Sequence, residues 1–254
     1  MSAGPRPARE PTGLIGGYQG IVERLFFRGR RSPVSEAVSF ISANLFLVVV
    51  VFYLLLNTVV YDWTGSLYAH GFHLATALDS VIPFVPEWAI FYLYLFYPVS
   101  ALTMAWFSLV EYRRGYPLAV SLVVINLVAD AVYLVFPVTT DLWRAQILSH
   151  PMTGNVFARA MYDTFASDPS FNCFPSLHAA VATICFYAWY RWARQRPLPV
   201  IRGISVGMLA VGVGVVLSTL FVKQHYIADE IAGILLALGV GRIVFDRRES
   251  APAR

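Results

Sequence analysis

Six apolar runs, each of about the ~20 residues that a helix needs to cross a bilayer, divide the chain. They lie at about residues 39–60, 88–110, 117–137, 175–194, 199–221 and 226–245. In hydrocarbon every backbone N–H and C=O must find its partner within the segment, so each run reads as a helix. Composition agrees: 57% of the residues are hydrophobic and 13% charged, against about 25% charged in soluble domains. The expected fold class is all-α, a polytopic membrane protein with six transmembrane helices and both termini cytoplasmic. The net charge of +4 does not argue for nucleic acid, because the basic residues sit in short clusters between apolar runs. Cys173 stands near a helix mouth and Cys185 in mid-segment, so no disulfide is expected between them.

Residues 1–36 form a polar, Pro/Gly-rich N-terminal tail whose "IVERLFFRGRR" suits an anionic membrane surface. Residues 37–246 form the membrane domain, and 247–254 a short C-terminal tail. Between the first two runs, "SLYAHGFHLATALDSVIPFVPEW" is interrupted by Pro83 and Pro86 and is expected to lie along the interface. With the N-terminus in the cytoplasm, 16 of the 19 basic residues fall on the cytoplasmic side, as the positive-inside rule requires. The other three are Arg144, Arg159 and Lys223.

This topology brings two polar stretches to the outer face. In "STLFVKQHYIADE", His225 and Asp229 are four residues apart, one helical face. A carboxylate on Nδ1 of His225 would fix its tautomer and leave Nε2 as a base or nucleophile. In "NCFPSLH", Pro175 suits the first position of a helix. Ser176 then falls in the first turn, where free N–H groups and the helix dipole attract phosphate. His178 follows in the same turn, suited to proton transfer near neutrality. Read singly, each stretch is also compatible with a helix cap or a hydrogen-bonded polar cluster.

Spaced as P-S-x-H and S-x6-H-x3-D, the two stretches resemble the type 2 phosphatidic acid phosphatase superfamily, whose motifs are K-x6-R-P, P-S-G-H and S-R-x5-H-x3-D. Pro175, Ser176 and His178 match the second motif, with Leu177 in place of glycine. Ser218, His225 and Asp229 match the third, with Thr219 in place of arginine. The first motif is missing. "FPSLHAA" and "KQHYIAD" look closest to the inositol phosphorylceramide synthase-like branch, which reads P-S-L-H, lacks the lysine-arginine motif, and passes a phosphorylated head group between lipids. The resemblance implies that His225 attacks phosphorus to form a phosphohistidine, that Asp229 orients it, and that His178 protonates the leaving oxygen and then activates water or an alcohol.

The phosphate-binding candidates are Ser176 and Ser218 from the motifs and the outer cations Arg144, Lys223 and Arg159. Arg144 leads, just past the third run. Lys223 needs a turn after Val222 to reach the face of His225, and Arg159 also fits a solvated loop. Nothing in the motifs calls for a metal or another cofactor, and no carboxylate cluster resembles a magnesium site. Asn126 and Asp130 share a face of the third run and fit a hydrogen-bonded stripe between helices. His70 and His73 fit interfacial packing, and Gly203, Gly207 and Gly233 close helix approach. The expected activity is that of a lipid phosphatase or phosphotransferase in a bacterial plasma membrane, its site facing outward. Its partners are a membrane lipid phosphate, water or an alcohol acceptor, and the bilayer, with no nucleic acid. A non-enzymatic bundle or transporter is the alternative of another class. Oligomeric state, lipid and pathway are not legible.

Overall fold

The computed structural model describes residues 49, 52–109, 112–168, 170–195 and 198–249. The N-terminal tail, residues 250–254 of the C-terminal tail and most of the first apolar run lie outside them. The described residues form helices and loops, with isolated bridges but no strand. Helix α1 covers residues 52–66, with a π-helical stretch Leu56–Val60 running into Tyr61–Ser66. Helix α2 (Ala77–Val81) is a short element in the segment expected at the interface. Helix α3 begins as a 3-10 turn, Pro86–Trp88, passes through π-helical Ile90–Leu95 and continues as Phe96–Leu109. Helix α4 is Tyr112–Val135; α5 (Asp141–Ser149) and α6 (Val156–Ser167) lie in the long loop that follows it. Three helices close the fold: α7 (Leu177–Gln195), α8 (Pro199–Phe221) and α9 (Ile227–Glu249).

Three stretches are long and apolar enough to cross a membrane: Pro86–Phe107, Gly115–Val135 and Pro199–Phe221. They match three of the six runs. Helices α7 and α9 have 19 and 23 residues, enough for roughly 28–35 Å at 1.5 Å per residue. They carry arginines and carboxylates near their ends, which lower their apolarity. On α8, Val200, Val206, Leu209 and Val213 are exposed, an apolar face of the kind that meets lipid or a partner.

Helix α7 is the centre of the bundle and packs against α3, α4, α8 and α9. Its N-terminal end is buried on every side, residues 179–182 consecutively, because alanines there let neighbouring helices approach closely. Trp189 and Trp192 fill the other end, with Trp189 Nε1 donating to Thr103 Oγ1 at 3.1 Å.

The glycines of the last two helices divide differently from the expectation. A Cβ on Gly203 or Gly207 would meet nothing within 4 Å, so neither marks a close helix contact. A Cβ on Gly233 would lie 2.3 Å from the Ser176 carbonyl oxygen. Only glycine lets α9 come this near the start of α7.

Gly233→Ala is therefore expected to destabilise by about 1–3 kcal/mol through overpacking. Gly203→Ala, in open space, should be neutral or stabilise by up to ~1 kcal/mol. Thermal or urea unfolding in detergent compares the two. Equal melting of Gly233→Ala and the parent would show that Ser176 can move aside.

Candidate active site

Three loop segments frame the site before either histidine is reached. Phe72, Val138 and Asn172 form successive parallel bridges. Phe72 N donates to the Pro137 carbonyl at 2.8 Å, and Cys173 N to the Val138 carbonyl at 3.2 Å. Gly71 permits this stacking, since a Cβ there would sit 2.7 Å from the Pro137 oxygen. Asn172 Nδ2 ties the stack to the Tyr61 carbonyl and to Thr64 Oγ1 on α1. The Cys173 carbonyl is thereby fixed in space.

The P-S-L-H stretch differs from its expected register by two positions. Helix α7 begins at Leu177, so Ser176 is its N-cap and Pro175 stands outside it, after a cis peptide bond. Ser176 Oγ accepts from Ala179 N at 3.2 Å, which satisfies one of the free donors of the first turn. Ser176 N donates to the Asp229 carbonyl at 3.0 Å, and Tyr133 Oη holds the Pro175 carbonyl at 2.8 Å. His178 is half-buried among Tyr92, Phe96 and Tyr97 of α3, with ring centroids at 4.5, 4.6 and 6.5 Å. Its Nε2 has no hydrogen-bond partner.

The chain turns sharply after α8, but the turn sends Lys223 toward Asp79 and not to the face of His225. Gln224 N and His225 N both reach the Thr219 carbonyl, at 2.9 and 3.3 Å. Lys223 takes a left-handed φ of 59°, and three successive side chains leave in three directions. Lys223 Nζ donates to the Asp79 carbonyl at 2.8 Å. The Gln224 side chain accepts from Arg144. His225 Nδ1 lies 3.0 Å from the Cys173 carbonyl oxygen and 3.5 Å from Asp229 Oδ2. A carbonyl only accepts, so Nδ1 carries the hydrogen and the neutral ring keeps its lone pair on Nε2. The His178 and His225 rings are 5.7 Å apart, edge to face.

Asp229 does more than face His225. Its Oδ2 accepts from Tyr226 N at 2.8 Å and so caps the start of α9. Asp79, from α2, accepts from Ile227 N at 2.7 Å while closing a capping box with Thr76. The segment expected along the interface is thus pinned to the His225 turn.

The remaining candidates spread out. Ser218 and Thr219 are fully buried, their hydroxyls donating to the Val215 and Val216 carbonyls at 2.6 Å each. Arg144 is buried at the start of α5. It donates to the Asp168 carbonyl at 2.7 Å, to Asp168 Oδ2 at 3.0 Å and to Gln224, while Nε stays unpartnered. It therefore stands one residue away from His225. Arg159 is exposed on α6, off the Ala158, Met161 and Phe165 face that packs inward, and is not gathered with the histidines. Asn126 donates to the Leu122 carbonyl of its own helix at 2.9 Å, and both Asp130 oxygens are unpartnered. His73 faces Asp141 across 3.6 Å on the surface.

Sequence reasoning passes over Glu230. It is 3% exposed, and neither carboxylate oxygen has a hydrogen-bond partner. The hydroxyls of Ser176 and Thr219 are its polar neighbours. The signal was present as a second acid beside the motif aspartate, in an otherwise apolar run.

These charges act on His225. Burial works against its imidazolium, but the Asp229 hydrogen bond and the nearby Glu230, Asp229 and Asp168 outweigh it and raise its pKa above the ordinary histidine value. For Arg144, too, burial opposes the charge, and Asp168 more than offsets it.

Cys173 Sγ, a His225 ring nitrogen and an Asp229 oxygen lie within 4.8 Å of one another, the spacing of a metal site. The chemistry does not fit one. Burial pushes the Cys173 thiol up, so it stays protonated, and it donates toward the Ser170 and Gln224 carbonyls. His225 Nδ1 bears its hydrogen toward Cys173, and Asp229 Oδ2 is held by Tyr226 N.

In an NMR titration, His225 should keep its proton to higher pH than a free histidine, and Asp229→Asn should lower its pKa. An unmoved midpoint would assign the shift to other charges.

The arrangement offers a histidine of fixed tautomer, a second histidine facing it, and a buried guanidinium bonded to the residue before it. No curated protein and no solved structure matches the chain significantly. A protein-family comparison matches residues 66–243 to the PAP2 superfamily. That span holds α2 to α8, most of α9 and every residue of the site, and the chain belongs to the PAP2 superfamily.

Proposed function

We propose that this protein is an integral-membrane lipid phosphatase or phosphotransferase that works through a phosphohistidine at His225. Membership in a superfamily of phosphoesterases and phosphotransferases supports an enzyme. The observation that carries the reading is the His225 tautomer: the Cys173 carbonyl takes the Nδ1 hydrogen and leaves Nε2 free beside His178.

In the proposed reaction the Nε2 lone pair forms a bond to phosphorus as the phosphorus–oxygen bond to the leaving group breaks. A proton from His178 goes to the departing oxygen, and Asp229 stabilises the charge on the His225 ring. In the second half, His178 takes the proton from water or an alcohol, whose oxygen attacks phosphorus while the nitrogen–phosphorus bond breaks. Phosphoryl transfer depends on positioning and on cations around the equatorial oxygens. We assign that part to Arg144, whose Nε is unpartnered and which reaches His225 through Gln224. Lys223 and Arg159 remain the other cation candidates, and the N-cap Ser176 and buried Ser218 the motif serines.

The proposed topology has six spans, both termini cytoplasmic and the site outward, supported by the distribution of basic residues. A bacterial plasma membrane is the expected setting. Head-group transfer of the inositol phosphorylceramide synthase type is the second reading. It is favoured by Thr219, whose hydroxyl is bound to its own helix where hydrolases carry arginine.

Purified protein given lipid phosphates labelled with 32P should acquire acid-labile, base-stable label, and His225→Ala should lose both label and turnover by about 10³-fold or more, on the scale of a lost nucleophile. Label surviving in His225→Ala would sink the assignment. Phosphate against phosphorylated product, with an alcohol supplied, separates hydrolysis from transfer. Arg144→Ala is expected to lower kcat/KM by about 10²-fold or more, the scale of one lost charge-stabilising donor, and more than Arg159→Ala does. An equal or smaller loss at Arg144 would move the cation role elsewhere.

A further inference from the structure

Lys223 poses a problem that the proposed reaction does not solve. It is 7% exposed, and its ammonium lies 4.2 Å from the centroid of the Trp143 ring. Among the described residues its one hydrogen-bond partner is the Asp79 carbonyl oxygen. The Asp79 carboxylate is occupied by Thr76 and by Ile227 N, and no ion pair to Lys223 occurs among the described residues. A lysine ammonium has three donors, so two remain unused on a cation without a counter-ion. Burial lowers its pKa, with Asp79 opposing. A buried charge in this condition calls for an anion.

The place for that anion is a cleft of about 380 Å³ walled by Ser80, Trp143, Gln146, His150, Tyr162 and Lys223, the rest of its wall being apolar. None of His178, His225, Asp229 or Arg144 lines it. The cleft is nevertheless adjacent to the catalytic centre. Trp143 packs against Tyr226 with tilted rings 4.7 Å apart, and Lys223 stands two residues before His225.

We propose that this cleft is a subsite for a phosphodiester monoanion, separate from the phosphoryl group that reacts at His225. One ammonium held on a tryptophan face, with a glutamine amide, a serine and a histidine around it, suits a single negative charge with neutral oxygens. A dianionic monoester would want a second permanent cation, and no other lysine or arginine lines the cleft. The left-handed backbone at Lys223 is what delivers the cation here. The apolar part of the wall accepts the carbon skeleton that joins the diester to its carrier. That the carrier is a substrate or acceptor rests on the proposed reaction; the anion site itself does not.

The test reads binding without turnover, so an inactive enzyme does not confuse it. Glycerophosphoglycerol, a soluble phosphodiester, is titrated calorimetrically into the full-length His225→Ala protein in neutral detergent, with inorganic phosphate as the dianion control. Binding of the diester at least tenfold tighter than phosphate, weakened at least tenfold by adding Lys223→Met, is the expected result. Gln146→Leu, on the exposed side of α5, should weaken it about threefold and serves if Lys223→Met does not fold. Diester affinity unchanged by either substitution overturns the proposal, as does tighter binding of phosphate than of the diester. Nanodiscs separate the sources. Phosphatidylglycerol retained in native mass spectra by the His225→Ala protein but not by its Lys223→Met derivative identifies a lipid head group. Calorimetric binding without such retention identifies a soluble diester.

Discussion

The backbone hydrogen bond from Ser176 N to the Asp229 carbonyl joins two helix starts that are 53 residues apart in the chain. Everything chemical in the protein is arranged around that junction. Helix α7 leaves it carrying His178 within its first turn, and α9 leaves it carrying Glu230. His225 stands just before α9, held from the opposite side by Cys173. Gly233 lets the junction close, because α9 runs against the Ser176 carbonyl where no side chain fits. The N-cap of one helix thus shares its polar groups with the first turn of another, and neither end could be moved without the other.

Much of this was legible in the sequence, for a physical reason. A membrane helix advertises itself by length and apolarity, so the run at 199–221 has the bounds of α8 and the other late runs differ from their helices by a few residues. The motif spacing also locates His178, His225 and Asp229. Other parts were hidden. The group nearest His225 Nδ1 is the carbonyl of Cys173, and no side-chain pattern records where a carbonyl points. Asp79 reads as a cap for its own short helix, and its second duty on Ile227 depends on tertiary contact. Gly203 and Gly207 have the i, i+4 spacing of a packing motif but face open space, whereas isolated Gly233 is at a contact. Spacing defines a face; it does not say what lies opposite.

The two buried cations near the candidate site, Arg144 and Lys223, solve the problem of desolvation differently. Arg144 spreads its charge over a carboxylate, a backbone carbonyl and a glutamine, with Phe165 5.4 Å from its guanidinium carbon. Lys223 has one carbonyl and one aromatic face. The first arrangement fixes a rigid fork and the second leaves a charge available, which accords with the different roles assigned to them. Glu230 is a buried group of the opposite sign, and it favours the imidazolium of His225.

The cap that Asp79 places on Ile227 spans 148 residues of sequence, and the bonds from Tyr226 to Thr139 and from Asn172 to Tyr61 span 87 and 111. Contacts so distant along the chain form slowly, because loop closure must precede them. During synthesis none of the ties to Tyr226 or Ile227 can form until almost all of the chain has been made. The geometry of the candidate site therefore comes together only after the turn before α9 has been made, although most of the helices that frame it precede that turn in the chain.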